Sequence, residues 1–138
     1  MAEFFATTHD VYLLLGHAAE DERDCDTADG RPATCEFARA RLARMIGGDQ
    51  ETIANDTIHR LAAAIAERQL RLLCRGIQTV GQLCPMPPRT AIVSGSGRFL
   101  AQKAIRQCFD FQLEIVEFPG NAEAACAVAV AHLIEERQ

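Results

Sequence analysis

Residues 90–118, TAIVSGSGRFLAQKAIRQCFDFQLEIVEF, decide the fold. The run at 90–94 is short, apolar and β-branched, which predicts a buried strand, and LEIVEF at 113–118 predicts a second one. Between them, residues 99–108 have the spacing of an amphipathic helix. Because strands that are separated by a helix pair in parallel with a right-handed crossover, the stretch predicts a strand–turn–helix–strand unit.

Helices are predicted on both sides of this unit. Residues 8–15, 35–46 and 51–80 carry apolar side chains at steps of three and four, and the Ala-rich segment at about 121–135 predicts a last helix. In the first of these segments VYLLL also fits a strand. The order predicts a helix-rich α/β protein in which helices cover a short parallel strand pair.

Local signals set the ends of the early helices. Thr7 and Asp10 match the S/T-x-x-D/E capping box, and Gly16 is a suitable stop. The second helix starts at Thr34 or Pro32 and ends at Gly47-Gly48. Four apolar side chains fall on its predicted buried side: Phe37, Leu42, Met45 and Ile46.

Connecting segments are predicted where charge, glycine or proline interrupts these patterns. Residues 17–33 form a polar, acidic loop, and 82–89 form a proline-punctuated connector. Gly76 and Gly81 mark the decay of the long helix.

Composition narrows the class of protein. The chain has 138 residues, 49% of them apolar, which predicts a single domain over 1–138. A net charge of −5 without a basic stripe argues against a nucleic-acid partner. No apolar run reaches the ~18 residues of a membrane span, and the N-terminus has no basic n-region. We therefore expect a cytoplasmic protein with no membrane partner.

Six scattered cysteines without a CxxC pair argue against a zinc site and a disulfide scaffold. We expect reduced thiols that mostly act as small buried apolar groups. No two histidines have metal-binding helical spacing, and no metal site is predicted from the sequence. A catalytic Cys–His pair stays open, because such partners meet only in space.

The glycine turn SGSG at 94–97 is the strongest candidate for binding chemistry. Glycine lets the backbone turn sharply and approach a ligand, and the helix that follows offers amide donors to an anion. The motif is neither GxGxxG nor a P-loop, and a purely structural αβ turn is the alternative.

The acidic loop does not keep the register of a calcium-binding EF-hand, since counting from Asp24 puts Asp29 where glycine is required. A solvated charged loop is the simpler interpretation, and Mg²⁺ coordination by Asp26 or Asp29 is the alternative.

Four blocks carry a family resemblance: FATTHDVYLLLG (5–16), DCDTADGRPAT (24–34), AIVSGSGRFLA (91–101) and NAEAACAVAVAHL (121–133). They resemble the C-terminal part of hydantoinase/oxoprolinase-like proteins of the acetate kinase–sugar kinase–Hsp70–actin superfamily. Within it, the chain resembles the one-carbon transfer pathway proteins linked to tetrahydromethanopterin. Those are in turn similar to the methanofuran-pathway (aminomethyl)furan synthase.

The resemblance implies a partial lobe of an actin-like ATPase fold that binds nucleotide or phosphate. Carried over by position, Gly95, Ser96 and Gly97 would contact the nucleotide or phosphate. Five residues would face the substrate: Thr8, Asp10, Asp26, Asp29 and Arg31. The implied cofactor is a nucleotide or pyrophosphate with Mg²⁺, and the implied ligand is small and phosphorylated.

The family's two N-terminal phosphate hairpins have no counterpart in the sequence. The resemblance therefore implies that the N-terminal lobe is absent and that the chain is inactive alone. A missing lobe or a second copy of the chain would complete it. Arg98 also stands where a neutral or acidic residue is expected. The alternative is a non-catalytic binding or structural module that is completed by a partner.

Overall fold

The computed structural model describes residues 5–109 and 113–118. In these ranges the chain forms four helices and two strands, which makes it a helix-rich α/β protein as predicted. The elements are α1 (Thr8–Leu14), α2 (Cys35–Met45), α3 (Asn55–Leu83), β1 (Thr90–Val93), α4 (Arg98–Cys108) and β2 (Glu114–Glu117). The chain divides into two compact units, Met1–Gln69 and Leu70–Gln138.

The first unit is built from α1, α2 and the first part of α3. Its apolar core consists of Ala6, Val11, Leu42, Ala43, Ile58 and Ala62. The predicted signals hold at both helix starts: the Thr7 amide donates to the Asp10 carboxylate over 2.8 Å, and Thr34 Oγ1 accepts from the Phe37 amide. Because these bonds satisfy amides that a helix start leaves free, they fix where α1 and α2 begin.

The predicted buried side of α2 is correct at Leu42 and wrong at Met45 and Ile46. Met45 and Ile46 are 51% and 48% exposed, whereas Ala38 and Leu42 are fully buried. The helix turns its small side chains inward, which allows α1 and α2 to pack closely. This rotation also brings an arginine, Arg41, onto the buried side.

The predicted bounds of α3 are shifted by a few residues. The helix begins at Asn55 because the Asp49 carboxylate accepts hydrogen bonds from the amides of Glu51 and Thr52 and holds these residues in a turn. It runs through Gly76 and Gly81 to Leu83, so neither glycine marks its end. A glycine costs a helix only about 1 kcal/mol, which a helix of this length tolerates.

The acidic loop at 17–33 contains no helix or strand, as predicted, but it is tied down at several points. Asp21 and Ala33 form an isolated antiparallel bridge, with the Asp21 amide 3.0 Å from the Ala33 carbonyl oxygen. The Ala33 amide donates in turn to Asp24 O over 2.8 Å. The loop is therefore closed on itself, and its carboxylates have defined positions.

The second unit contains the end of α3 and the strand–turn–helix–strand stretch. β1 and β2 pair in parallel, with Ile92 opposite Val116, which confirms the predicted parallel pair with a helical crossover. The prediction of a buried first strand is wrong, since Val93 is buried but Ile92 is 68% exposed. Helix α4 contacts β1, and its Leu100 and Ala104 are buried.

The cysteines differ in part from the expectation. Among the described residues all five are free thiols, but only Cys74 is buried, while Cys25 and Cys84 are exposed. The sixth, Cys126, and the predicted helix at 121–135 lie outside the described residues. No helix in the described ranges is both long and apolar enough to cross a bilayer.

Candidate functional sites

The glycine turn connects β1 to α4 at the surface of the second unit. Gly95 has φ +83°, in the left-handed region where a side chain is strained, and the Arg98 amide closes the turn on Gly95 O over 3.2 Å. Gly97 is the N-cap of α4. Ser94, Ser96 and Gly97 are exposed, so no side chain in the described ranges covers this corner.

Arg98 has a partner within its own unit. Its Nε lies 3.6 Å from Glu117 Oε1 at the end of β2, and both side chains are more than half exposed. Gln102 Nε2 donates to the same carboxylate oxygen over 3.3 Å. An anion at the glycine turn would therefore compete with Glu117 for this guanidinium.

The first unit contains a second candidate site, which we call the arginine–aspartate cluster: Asp10, Asp29, Arg31, Arg41 and Arg44. Its buried part is the pair of Asp10 on α1 and Arg41 on α2, which are 1% and 0% exposed. Arg41 Nε donates to Asp10 Oδ1 over 2.7 Å, and Nη2 lies 2.6 Å from the same oxygen. A buried pair in this geometry joins α1 to α2.

Asp29 forms the outer part of the cluster. Its Oδ1 accepts from Arg41 Nη1 over 3.0 Å, and its Oδ2 accepts from Arg31 Nη2 over 2.6 Å and Arg44 Nη1 over 3.1 Å. The side chains of Arg31 and Arg44 are 37% and 44% exposed, against 17% for Asp29. One carboxylate thus holds three guanidinium groups between the buried pair and the surface.

The charges of the cluster stabilise one another. Burial acts to raise the pKa of Asp29, but the hydrogen bonds from Arg31 and Arg41 outweigh it and hold that pKa well below its usual range. Burial likewise acts to lower the pKa of Arg41, and the bonds to Asp10 and Asp29 more than reverse this effect. Asp29 and Arg41 are therefore both ionised at neutral pH.

The depressed pKa of Asp29 predicts a specific loss of stability in acid. Its ionised form stabilises the fold above the ordinary carboxyl pKa of 3.8, and this contribution is lost as the pH falls toward the folded-state value. We expect Asp29→Asn to be less stable than the wild type at pH 7. We also expect its unfolding free energy to fall less steeply than that of the wild type below about pH 4. Urea unfolding at several pH values measures both, and parallel pH profiles would contradict the prediction.

The cluster contains some of the residues that the sequence singled out. Asp10, Asp29 and Arg31 meet there, while Thr8 and Asp26 are exposed and have no recorded bond to it. Sequence reasoning missed Arg41 and Arg44. No local signal could have found Arg41, because its partner carboxylate lies 31 positions away on α1.

A metal site and a cysteine nucleophile have less support among the described residues. No group of three or more Cys, His, Asp or Glu side chains is placed to hold a metal ion there. Burial, together with the hydrogen bond that the Cys108 thiol donates to Cys74, raises the pKa of this thiol to about 11. Burial and Glu20 also raise the pKa of Cys35. Raised thiol pKa values disfavour the thiolate that a cysteine nucleophile needs.

Two curated archaeal proteins match the chain. Each is named (4-{4-[2-(gamma-L-glutamylamino)ethyl]phenoxymethyl}furan-2-yl)methanamine synthase. The chain is similar to both. The protein from Methanocaldococcus jannaschii is 24% identical over 136 residues, which is 99% of this chain and 41% of that protein. The protein from Methanococcus vannielii is 24% identical over 106 residues, which is 77% of this chain and 47% of that protein.

The chain thus spans less than half the length of these curated relatives. No family model matches it. The similarity to the first relative includes nearly the whole chain, and with it both the arginine–aspartate cluster and the glycine turn.

Proposed function

We propose that this chain is part of a synthase in the biosynthesis of a methanofuran-type one-carbon cofactor. The observation that carries the proposal is the similarity over 99% of the chain to an archaeal synthase whose product is a substituted furan-methanamine. The proposal is also consistent with a surface that offers two polar sites, one in each unit.

The name of the relative's product defines the bond to be made. The product is an ether between the phenol oxygen of a γ-glutamyl-tyramine group and a methylene carbon on a furan ring. To form this ether from the phenol, the oxygen gives up its proton and the methylene carbon gives up a leaving group. We propose a phosphate or diphosphate as the leaving group, which departs with the electron pair of the broken C–O bond.

The glycine turn is our proposed contact for that phosphate, or for a nucleotide that serves the same enzyme. Its support is the exposed turn with Gly95 at positive φ and Gly97 at the start of an eleven-residue helix. Backbone amides at a helix start suit a phosphate, and glycine allows the ligand to approach the backbone. Gly95, Ser96 and Gly97 are the residues we assign to this contact.

The rest of the active site would come from a second lobe or from a second copy of the chain. The curated relatives are more than twice as long as the segment that matches this chain. We propose that the chain corresponds to the C-terminal lobe of an actin-like, hydantoinase-like fold and that a second lobe or a second copy completes it. Because stabilisation of a developing charge needs groups preorganised around it, this lobe would be inactive alone.

The proposal is tested in the source organism by disrupting the gene and measuring both intermediates by mass spectrometry. We expect the furan ether to disappear and γ-glutamyl-tyramine to accumulate, and we expect the wild-type gene to restore the ether. An unchanged amount of ether in the disrupted strain would contradict the proposal. A titration with pyrophosphate followed by NMR tests the glycine turn, where the amides of Ser96 and Gly97 should shift.

A non-catalytic module completed by a partner is the second candidate function. It is favoured by the exposed apolar side chains of the sheet, since the strands of a parallel sheet are normally covered on both faces and Ile92 is 68% exposed. The same unit has an apolar groove of about 510 Å³ lined by residues that include Leu72, Ile77 and Ile105. A chain that associates but ignores pyrophosphate, and whose loss leaves the ether unchanged, would support this alternative.

A further inference from the structure

We propose that Arg31 and Arg44 of the arginine–aspartate cluster bind the α-carboxylate of a γ-glutamyl substrate. The inference rests on the proposed function for the identity of the substrate. The inference goes beyond the proposed function because it assigns substrate recognition to two specific residues in the first unit. The support is the charge balance of the cluster, the geometry of its exposed side and the chemistry of the group to be recognised.

The cluster has an excess of positive charge. Three guanidinium groups face two carboxylates, so one positive charge is unmatched within the cluster. Both oxygens of Asp29 already accept hydrogen bonds from arginines. One further carboxylate or phosphate would complete the charge balance.

One buried nitrogen of the cluster lacks a hydrogen bond of good geometry. Arg41 Nη2 is buried and lies 2.6 Å from Asp10 Oδ1, yet it makes no hydrogen bond of acceptable geometry to any described group. Buried polar atoms without such a bond are uncommon in folded proteins. Because Nη2 faces the buried Asp10, a ligand could reach only the exposed side chains of Arg31 and Arg44.

Arg31 is held ready for such a ligand. Its Nε and Nη2 both donate to Asp29 Oδ2, over 2.8 and 2.6 Å, and its guanidinium lies over the Phe37 ring at 4.7 Å. These contacts fix the plane of the group while 37% of the side chain stays exposed. A guanidinium that is already ordered loses little entropy when it binds, which favours affinity.

Arg44 lies on the same side of the cluster. It donates one nitrogen, Nη1, to Asp29 Oδ2 over 3.1 Å, and 44% of its side chain is exposed. Arg31 and Arg44 therefore converge on a single carboxylate oxygen and both face solvent. Two guanidinium groups at one point match the two oxygens of a carboxylate, which arginine binds through paired hydrogen bonds.

The chemistry of the relative's product supplies a carboxylate of the right kind. A γ-glutamylamino group is linked through its side-chain carbonyl, so its α-carboxylate and α-ammonium remain charged. The carboxylate is the only permanent anion in the γ-glutamyl-tyramine part of that product. Phosphate has similar oxygen chemistry, and the experiment must separate the two.

The test compares ligands that differ in this one group. The purified full chain is titrated with γ-L-glutamyl-tyramine and with 4-aminobutyryl-tyramine, which lacks the α-carboxylate, and binding is followed by NMR of the arginine Nε–H groups. We expect the γ-glutamyl compound to bind roughly tenfold or more tightly, as a bond to a charged group implies. Pyrophosphate in a third titration shows whether a phosphate uses the same arginines.

Matched variants separate binding from folding. In Arg44→Gln, the affinities for the γ-glutamyl and the 4-aminobutyryl compound should become equal. The melting temperature should not change, because the Arg44 side chain is well exposed. Arg60→Gln is the control: Arg60 is 73% exposed and pairs with Asp56 one helical turn away, so the preference for the γ-glutamyl compound should survive its loss.

The inference would be overturned by no binding of the γ-glutamyl compound at millimolar concentration, by equal binding of both compounds to the wild type, or by a preference that survives Arg44→Gln. These results leave the proposed function intact if the gene disruption still abolishes the furan ether. Conversely, the disrupted strain could keep its furan ether while the purified chain still prefers the γ-glutamyl compound in a way that depends on Arg44. That result would contradict the proposed synthase function and leave the carboxylate site supported. If pyrophosphate shifted the Nε–H signals of these arginines and the γ-glutamyl compound did not, the arginines would be assigned to a phosphate and the proposal would be overturned.

Discussion

Replacing Asp10 with asparagine is expected to destabilise the protein by about 3–5 kcal/mol, the range for removing one partner of a buried ion pair. The variant keeps the size of the side chain and an oxygen that can accept from the Thr7 amide, so the start of α1 should survive. What it loses is the charge opposite the Arg41 guanidinium, which is fully buried. Urea unfolding followed by circular dichroism measures the loss.

A double-mutant cycle shows whether the loss comes from the pair. Arg41→Met alone should cost a similar amount, because it leaves the Asp10 carboxylate buried without its partner. The combination Asp10→Asn with Arg41→Met should cost clearly less than the sum of the single changes, since no uncompensated charge then remains. Additive losses, or a loss below about 1 kcal/mol for Asp10→Asn, would mean that the pair is not the contact that joins α1 to α2.

Gly95→Val is expected to destabilise the protein by roughly 1–3 kcal/mol, the cost of holding a side chain in a sparsely populated backbone region. The cause is the φ of +83°, since no described atom lies within 4 Å of the added Cβ. Gly95→Asn should cost less, because asparagine tolerates this region better than a β-branched residue. Thermal unfolding of the three proteins gives the order of stability.

Gly97→Ala is the matched control for the turn. Gly97 has φ −84° and open space around the added Cβ, so we expect a change within about 0.5 kcal/mol. If Gly95→Val proved as stable as Gly97→Ala, the positive φ at Gly95 would not be a feature of the protein in solution.

The sequence predicted what depends on short-range rules. Thr34 and Gly16 marked a helix start and stop because capping and positive φ act within a few residues. The alternation of strand, helix and strand predicted the parallel pair, since a helical crossover permits that pairing. The glycine turn was found because its signal, two glycines between a strand and a helix, also lies within a few residues.

What the sequence did not reveal depends on contacts between distant residues. Arg41 pairs with a carboxylate 31 positions away, and nothing local at position 41 indicates that its charge is buried. The buried face of α2 was assigned to the large residues Met45 and Ile46, but close helix packing selected Ala38 instead. Ile92 was expected to be buried because it lies in a short apolar run. Its burial depends on which elements cover the sheet, and the run itself does not show that.

The distribution of free thiols gives the protein a natural pair of attachment points for spectroscopic labels. Cys25 in the first unit and Cys84 in the second are exposed, whereas Cys74 is buried and the pKa of Cys108 is raised to about 11. Because maleimides and iodoacetamides react with thiolates, the two exposed positions should be modified first. One dye on each compact unit would then report the distance between them, with and without a ligand, once Cys126 is replaced.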